Sequence, residues 1–232
     1  MPVPALAAFV ATAVAVERGS RLVVFDHRLA SWLSVHRSPH LQRAALLVVR
    51  LAEPTRAAVM LLLLGVALSA VRRSWYPIRT AATTVCLCVP AVLLAKYAFG
   101  RVGPMGSGAS AGPVRLGPPD LMDAVDRGAF PSGHTTATVV FCSVAVVLVR
   151  GRLGRAGAAL VAAAGLVVGS ALIYAGFHWF SDVLGAYSFS VVIAWAVLRM
   201  CPPGASRTNR TNRDIAEVSE LAPVTTRSRA CA

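Results

Sequence analysis

Phe130-Pro131-Ser132-Gly133-His134-Thr135-Thr136 runs straight into the apolar stretch 137–149. A Pro-Ser-Gly step followed by a helical pattern leaves free backbone N–H groups, a small hydroxyl and an imidazole at the positive end of a helix, an arrangement suited to an anion such as a phosphate. Two other stretches carry residues that suit the same anion. Lys96-Tyr97-Ala98-Phe99-Gly100-Arg101 lies before the turn, and His178-Trp179-Phe180-Ser181-Asp182 lies after it.

Composition puts these stretches in a membrane protein. Of 232 residues, 56% are hydrophobic and 14% charged, too apolar for an ordinary soluble domain. The formal charge of +13 does not read as a nucleic-acid surface, because the arginines lie mainly between and beyond apolar runs. Lys96 is the one lysine beside 22 arginines and stands at the end of an apolar run, where a charge is costly; that marks it as a site candidate. Cys86, Cys88, Cys142, Cys201 and Cys231 have no metal-ligand partners at useful spacing and read as free thiols.

The expected fold is all-α: a polytopic membrane helix bundle of about six transmembrane helices over residues 1–200, with an N-terminal interfacial helix and a disordered cytoplasmic tail over 201–232. The first run, 3–16, is short for a span, and a signal peptide is its alternative; no Lys or Arg precedes it, which argues for a retained span. Between residues 17 and 54 charged and histidine residues alternate with Leu22, Phe25, Leu29, Trp32 and Leu33, the pattern of a helix lying on the membrane. His27, His36 and His40 in this region read as solvated or headgroup-facing. Spans are expected at 57–71, 80–99, 135–149, 156–176 and 183–198. Gly165 and Gly169, four apart, suit close packing of the fifth span within its own bundle, with dimerisation as the alternative.

Two compact basic turns, Arg72-Arg73 to Arg79 and Arg150 to Arg155, place one end of the bundle in the cytoplasm. Lys96, the Pro131–His134 turn and His178 then emerge on the opposite, extracytoplasmic face. His178 and Asp182 are four apart and share a face if a helix starts there, so the carboxylate can hold one imidazole nitrogen and leave the other free to attack. His134 is placed to protonate a leaving oxygen, while Lys96, Arg101 and the N–H groups of Ser132 to His134 stabilise phosphoryl oxygens.

On Lys96 to Pro104, Pro131 to His134 and Tyr174 to Asp182, the chain resembles the type 2 phosphatidic acid phosphatase superfamily in its bacterial six-span form. The resemblance implies an integral-membrane lipid phosphatase that cleaves a lipid phosphate monoester or diphosphate, such as phosphatidic acid or a polyprenyl diphosphate, without metal or cofactor. It implies His178 as the nucleophile that becomes phosphohistidine, Asp182 as its partner, His134 as the acid, and Lys96, Ser132 and Gly133 as phosphate ligands. Two positions depart from the family pattern, with Gly103 and Leu172 where it carries arginines. Arg101 is the expected replacement, with Arg115 and Arg127 as further candidates. The alternative is a weak or inactive relative that binds lipid phosphate headgroups. Asp120, Asp123 and Asp126 are spaced by three but have no histidine beside them, which argues against a metal site.

Overall fold

The structure, a computed structural model, describes residues 2–104 and 128–202. Arg115, Arg127, Asp120, Asp123, Asp126, Cys231 and the tail beyond residue 202 lie outside the described residues.

Eight helices account for most of what is described. They are α1 (Val3–Glu17), α2 (Arg21–His36), α3 (Pro39–Leu51), α4 (Pro54–Arg72), α5 (Tyr76–Phe99), α6 (Gly133–Arg150), α7 (Arg155–Ala175) and α8 (Phe180–Met200). Five of them, α4 to α8, are long and apolar enough to cross a bilayer. These are the last five spans the sequence leads one to expect. The first, α1, is apolar but has only 15 residues, about 22 Å of helix against the ~30 Å of a hydrocarbon core. It is nevertheless part of the bundle: α1 packs against α8, and its Phe9 ring stacks on Phe130 and Phe189 at centroid distances of 5.8 and 4.8 Å.

The most buried of the five long helices is α6, which packs against α4, α5, α7 and α8. Its Val140, Val144 and Leu148 form the core with Leu61 of α4, Ala81 and Cys88 of α5, and Ile193 and Val197 of α8. Small residues set the spacing around it. A Cβ on Gly165 would stand 2.9 Å from both Val139 and Tyr187, and one on Gly169 would stand 2.6 Å from Val183. The glycine pair therefore serves α7 against α6 and α8 inside the chain.

Hydrogen bonds at the helix ends show which termini share an end of the bundle. Arg72, at the close of α4, donates to the carbonyls of Leu148 (2.7 Å) and Val149 (3.2 Å), near the close of α6. Tyr76, at the start of α5, donates to the Cys201 carbonyl after α8 at 3.4 Å. Both basic turns are thus at one end. At the other end are the close of α5, the start of α6 and the α7–α8 connection.

The expected single interfacial helix over 17–54 is two helices, broken at Pro39. A proline cannot continue a helix through its ring but suits the first helical turn, so α2 stops and α3 starts there. α2 packs on α8, and α3 packs Ala45 against Ala171 and Ala175 of α7. Both cover the end of the bundle that holds Lys96 and His178. Trp32 and Phe25 of the expected apolar face are 57% and 47% exposed, whereas Asp26, a charged residue on the same helix, is 1% exposed. That inversion matters for the site.

Candidate active site

Three helix ends build the site, each formed by local chemistry. α5 closes at Gly100, whose φ of +52° is costly for other residues, and this leaves Lys96 in its last turn. α6 opens with Ser132 as its cap, the hydroxyl accepting from the Thr135 N–H at 3.5 Å, so Gly133 and His134 form the first helical positions with their N–H groups at the positive end. α7 closes at Gly176, φ +85°, where the Phe177 N–H returns to the Leu172 carbonyl at 3.0 Å. Six residues after Gly176, Asp182 in the first turn of α8 reaches back to accept the Trp179 N–H at 2.9 Å, the reach-back half of a capping box.

Lys96, Gly133, His134 and His178 line one cavity of about 670 Å³. A Cβ on Gly133 would lie 3.9 Å from Lys96 Nζ, so the ammonium sits over the start of α6. Asp182 stands behind His178, with Oδ2 3.5 Å from Nδ1. Nδ1 is buried and has no hydrogen-bond partner. Away from this polar end the lining is apolar, from Val92, Val89 and Cys88 on α5 and Ala137 and Phe141 on α6. Cys88 is eight residues before Lys96, about 12 Å along the helix.

Two residues expected at the phosphate are placed elsewhere. The Ser132 side chain is fully buried, bonded to Thr135 Oγ1 at 3.2 Å as well as capping α6, and does not line the cavity. Arg101 is 5% exposed and also does not line it. Its Nη1 donates to Asp182 Oδ1 at 2.5 Å and to Ser181 Oγ at 2.6 Å, and its Nη2 to Asp26 Oδ2 at 2.8 Å. A guanidinium held by two buried carboxylates is neutralised where it stands, so it has neither the reach nor the charge to grip a substrate.

Several contributors were not singled out from the sequence. Asp26 accepts the Ser181 N–H at 3.0 Å and the Ser181 hydroxyl as well as the Arg101 guanidinium. Glu53 lines the cavity and caps α4 by accepting from Thr55 and Arg56, both at 2.9 Å; the Thr55 bond is foremost in holding its carboxyl below the usual range. Arg37 lies over the close of α7, its Nη2 2.5 Å from where a Cβ on Gly176 would stand. His27, expected to be solvated, packs edge-on against Trp179 at 4.6 Å. Only the Glu53 cap has a sequence signal, a carboxylate one residue before a helix that opens with Pro54. Among the described residues no three His, Cys, Asp or Glu side chains come close enough to hold a metal ion.

A helical membrane bundle with histidines, a lysine and a helix N-terminus around one cavity defines a class of multi-pass membrane protein whose cavity suits an anionic ligand. The PAP2 superfamily model matches residues 73–203, more than half of the chain, and the chain belongs to that superfamily. Among solved structures it is similar to the crystal structure of a transmembrane PAP2-type phosphatidylglycerolphosphate phosphatase from Bacillus subtilis. The TM-score is 0.70 at 18% identity, over 86% of this chain and 94% of the other. No curated protein matches the chain.

Proposed function

We propose that this protein is a lipid phosphatase that hydrolyses a phosphate monoester or diphosphate on a lipid through a phosphohistidine at His178. The observation that carries the reading is the convergence of His178, His134, Lys96 and Gly133 on a single cavity whose far lining is apolar. Asp182, facing Nδ1 from 3.5 Å, favours the tautomer with the proton on that nitrogen and leaves the Nε2 lone pair for attack on phosphorus. The P–O bond to the leaving group breaks as the N–P bond forms, and His134 donates its proton to the departing oxygen, that of an alkoxide from a monoester or of a lipid monophosphate from a diphosphate. Water then attacks the phosphohistidine, His134 takes up the proton, and phosphate leaves. Lys96 and the N–H groups at the start of α6 stabilise the phosphoryl oxygens. An acyl or prenyl chain fits the wall of Val89, Val92 and Phe141, which argues for a lipid over a soluble phosphate ester.

The site lies at the end opposite the two short basic turns, and the arginine-rich character of short cytoplasmic loops supports an extracytoplasmic site. Gly103 and Leu172 occupy the positions at which the family pattern carries arginines. With Arg101 committed to Asp26 and Asp182, the phosphate grip falls to Lys96 and the α6 N–H groups. Leu172 lines the cavity with an apolar side chain, and this favours a second reading, a relative that binds lipid phosphate but turns it over weakly or not at all.

Phosphate release from a panel of lipid phosphates, measured with purified protein in detergent and chelator present, separates the two. The enzyme reading expects release by the wild type and none above background by His178→Ala at equal expression. Equal release by both proteins refutes the His178 mechanism, and lipid-phosphate binding without release supports the second reading.

A further inference from the structure

We infer that Asp26, on helix α2, is a positioning residue for His178, acting through Arg101 and Asp182. The inference rests on the proposed role of His178. Asp26 lies outside residues 73–203, so the family match carries no information about it.

The geometry is a chain of charged contacts inside the protein. Asp26 and Asp182 side chains are fully buried and the Arg101 side chain is 5% exposed. Arg101 bridges them, Nη2 to Asp26 at 2.8 Å and Nη1 to Asp182 Oδ1 at 2.5 Å. The other Asp182 oxygen, Oδ2, takes the Trp179 N–H at 2.9 Å and faces His178 Nδ1 at 3.5 Å. The carboxylate plane, and with it the direction presented to the imidazole, is therefore set by where Arg101 is held.

Three contacts hold Arg101 there besides Asp182: Asp26, Ser181 Oγ at 2.6 Å, and the Trp179 ring, whose centroid is 5.6 Å from Cζ. Asp26 also fixes Ser181 through both N–H and hydroxyl, which ties α2 to the first turn of α8 one residue before Asp182.

Charge makes the same point. With Asp26 absent, Arg101 and Asp182 form a neutral pair and the carboxylate's field at His178 is largely cancelled. With Asp26 present, the guanidinium is shared and the cluster of two carboxylates and one guanidinium keeps a net negative charge beside the imidazole. A neutral partner would not hold the proton on Nδ1 as firmly, and the attacking Nε2 lone pair would be lost in a fraction of molecules. Asp26 touches neither the cavity nor the reacting atoms, so its effect belongs in kcat and not in substrate binding.

The test is Asp26→Asn, which keeps the shape and removes the charge, with two readouts. The first is kcat and KM for a lipid phosphate per folded protein. The second, independent of turnover, is the ring-nitrogen NMR shifts of His178 in histidine-labelled protein, which report its tautomer. The expected result is a fall in kcat of about tenfold or more with KM unchanged, together with a shift of His178 from the Nδ1–H tautomer to a mixture.

Wild-type kcat with an unchanged tautomer overturns the inference. So does a fall in kcat with no tautomer change, which would assign Asp26 to the docking of α2 alone, and so does a rise in KM at constant kcat. If the wild type releases no phosphate, the proposed function fails and the tautomer alone decides the positioning role. If Asp26→Asn does not fold, Ser181→Ala, which removes the hydroxyl that both Asp26 and Arg101 contact and leaves both ion pairs, is expected to give the same changes to a smaller extent. No change in either readout then overturns the inference.

Discussion

Replacing Arg101 by leucine tests the charged cluster most severely. The substitution leaves Asp26 and Asp182, both with fully buried side chains, facing each other across the space of the lost guanidinium. Breaking a buried ion pair by removing one partner costs about 3–5 kcal/mol, because a charge is left uncompensated in a medium that solvates it poorly. Here one cation serves two anions, so the upper part of that range applies. By the same reasoning Asp26→Asn is milder, since Arg101 keeps Asp182 and the amide oxygen still accepts. Against a total stability of about 5–15 kcal/mol, the Arg101→Leu loss is a large fraction.

The assay is reversible unfolding in mixed detergent micelles, followed by tryptophan fluorescence, to which Trp179 beside Arg101 contributes directly. The double variant Arg101→Leu with Asp26→Asn is expected to be less destabilised than the sum of the two single changes, with a coupling of about 1–3 kcal/mol. A loss below about 1 kcal/mol for Arg101→Leu, or strict additivity in the double variant, refutes the claim that the bridge is intact and buried in the folded protein.

Four further substitutions probe other parts of the site end. Gly176→Ala places a methyl in a φ of +85° and against the Arg37 guanidinium, and is expected to lower stability by about 1 kcal/mol or more, read as an earlier unfolding midpoint. Glu53 caps α4, and its carboxyl is held below the usual range by the Thr55 N–H above all. Its contribution is therefore present above the unfolded-state value and lost as pH falls through the folded one. Wild type should exceed Glu53→Gln in unfolding midpoint at neutral pH, and the two should converge in acid. Leu172→Arg sets a guanidinium on the cavity wall and is expected to tighten binding of inorganic phosphate, measured by calorimetry. Gly103→Arg is expected not to, because even its Cβ would stand 2.7 Å from the Phe177 carbonyl oxygen.

Much of the site end was legible because it is made of short local patterns. A turn such as Pro131 to His134 capping an apolar run, and a histidine four residues before an aspartate at a helix start, are fixed by backbone geometry over a few residues. Their convergence followed from counting spans. What could not be read was long-range: Arg101 bonds residues 75 and 81 positions away. As a cation near a turn suited to phosphate it reads as a ligand, and only the position of α2 shows that carboxylates claim it first. Asp26 was passed over for a related reason. In a stretch of alternating charge and apolar residues, the periodicity assigns charged positions to the solvated face. A single buried partner on another helix reverses that assignment without altering the pattern.

The arrangement has an electrostatic logic that runs through His178. On its cavity side stand Lys96 and the positive start of α6, and on its far side stand Asp182, Asp26 and the guanidinium they share. A phosphate entering the cavity meets cations, while the imidazole behind it is backed by net negative charge. A nucleophilic histidine needs both: attraction that brings an anion to within bonding distance, and a negative partner to stabilise the positive charge the ring acquires as the N–P bond forms. Placing the extra carboxylate on α2 separates these demands. On the proposed mechanism, Lys96 and α6 grip the phosphate from the bundle core, and α2 sets the charge behind His178 from outside it. Substitutions on α2 should then change turnover while leaving phosphate affinity in place, and substitutions at Lys96 should weaken that affinity first.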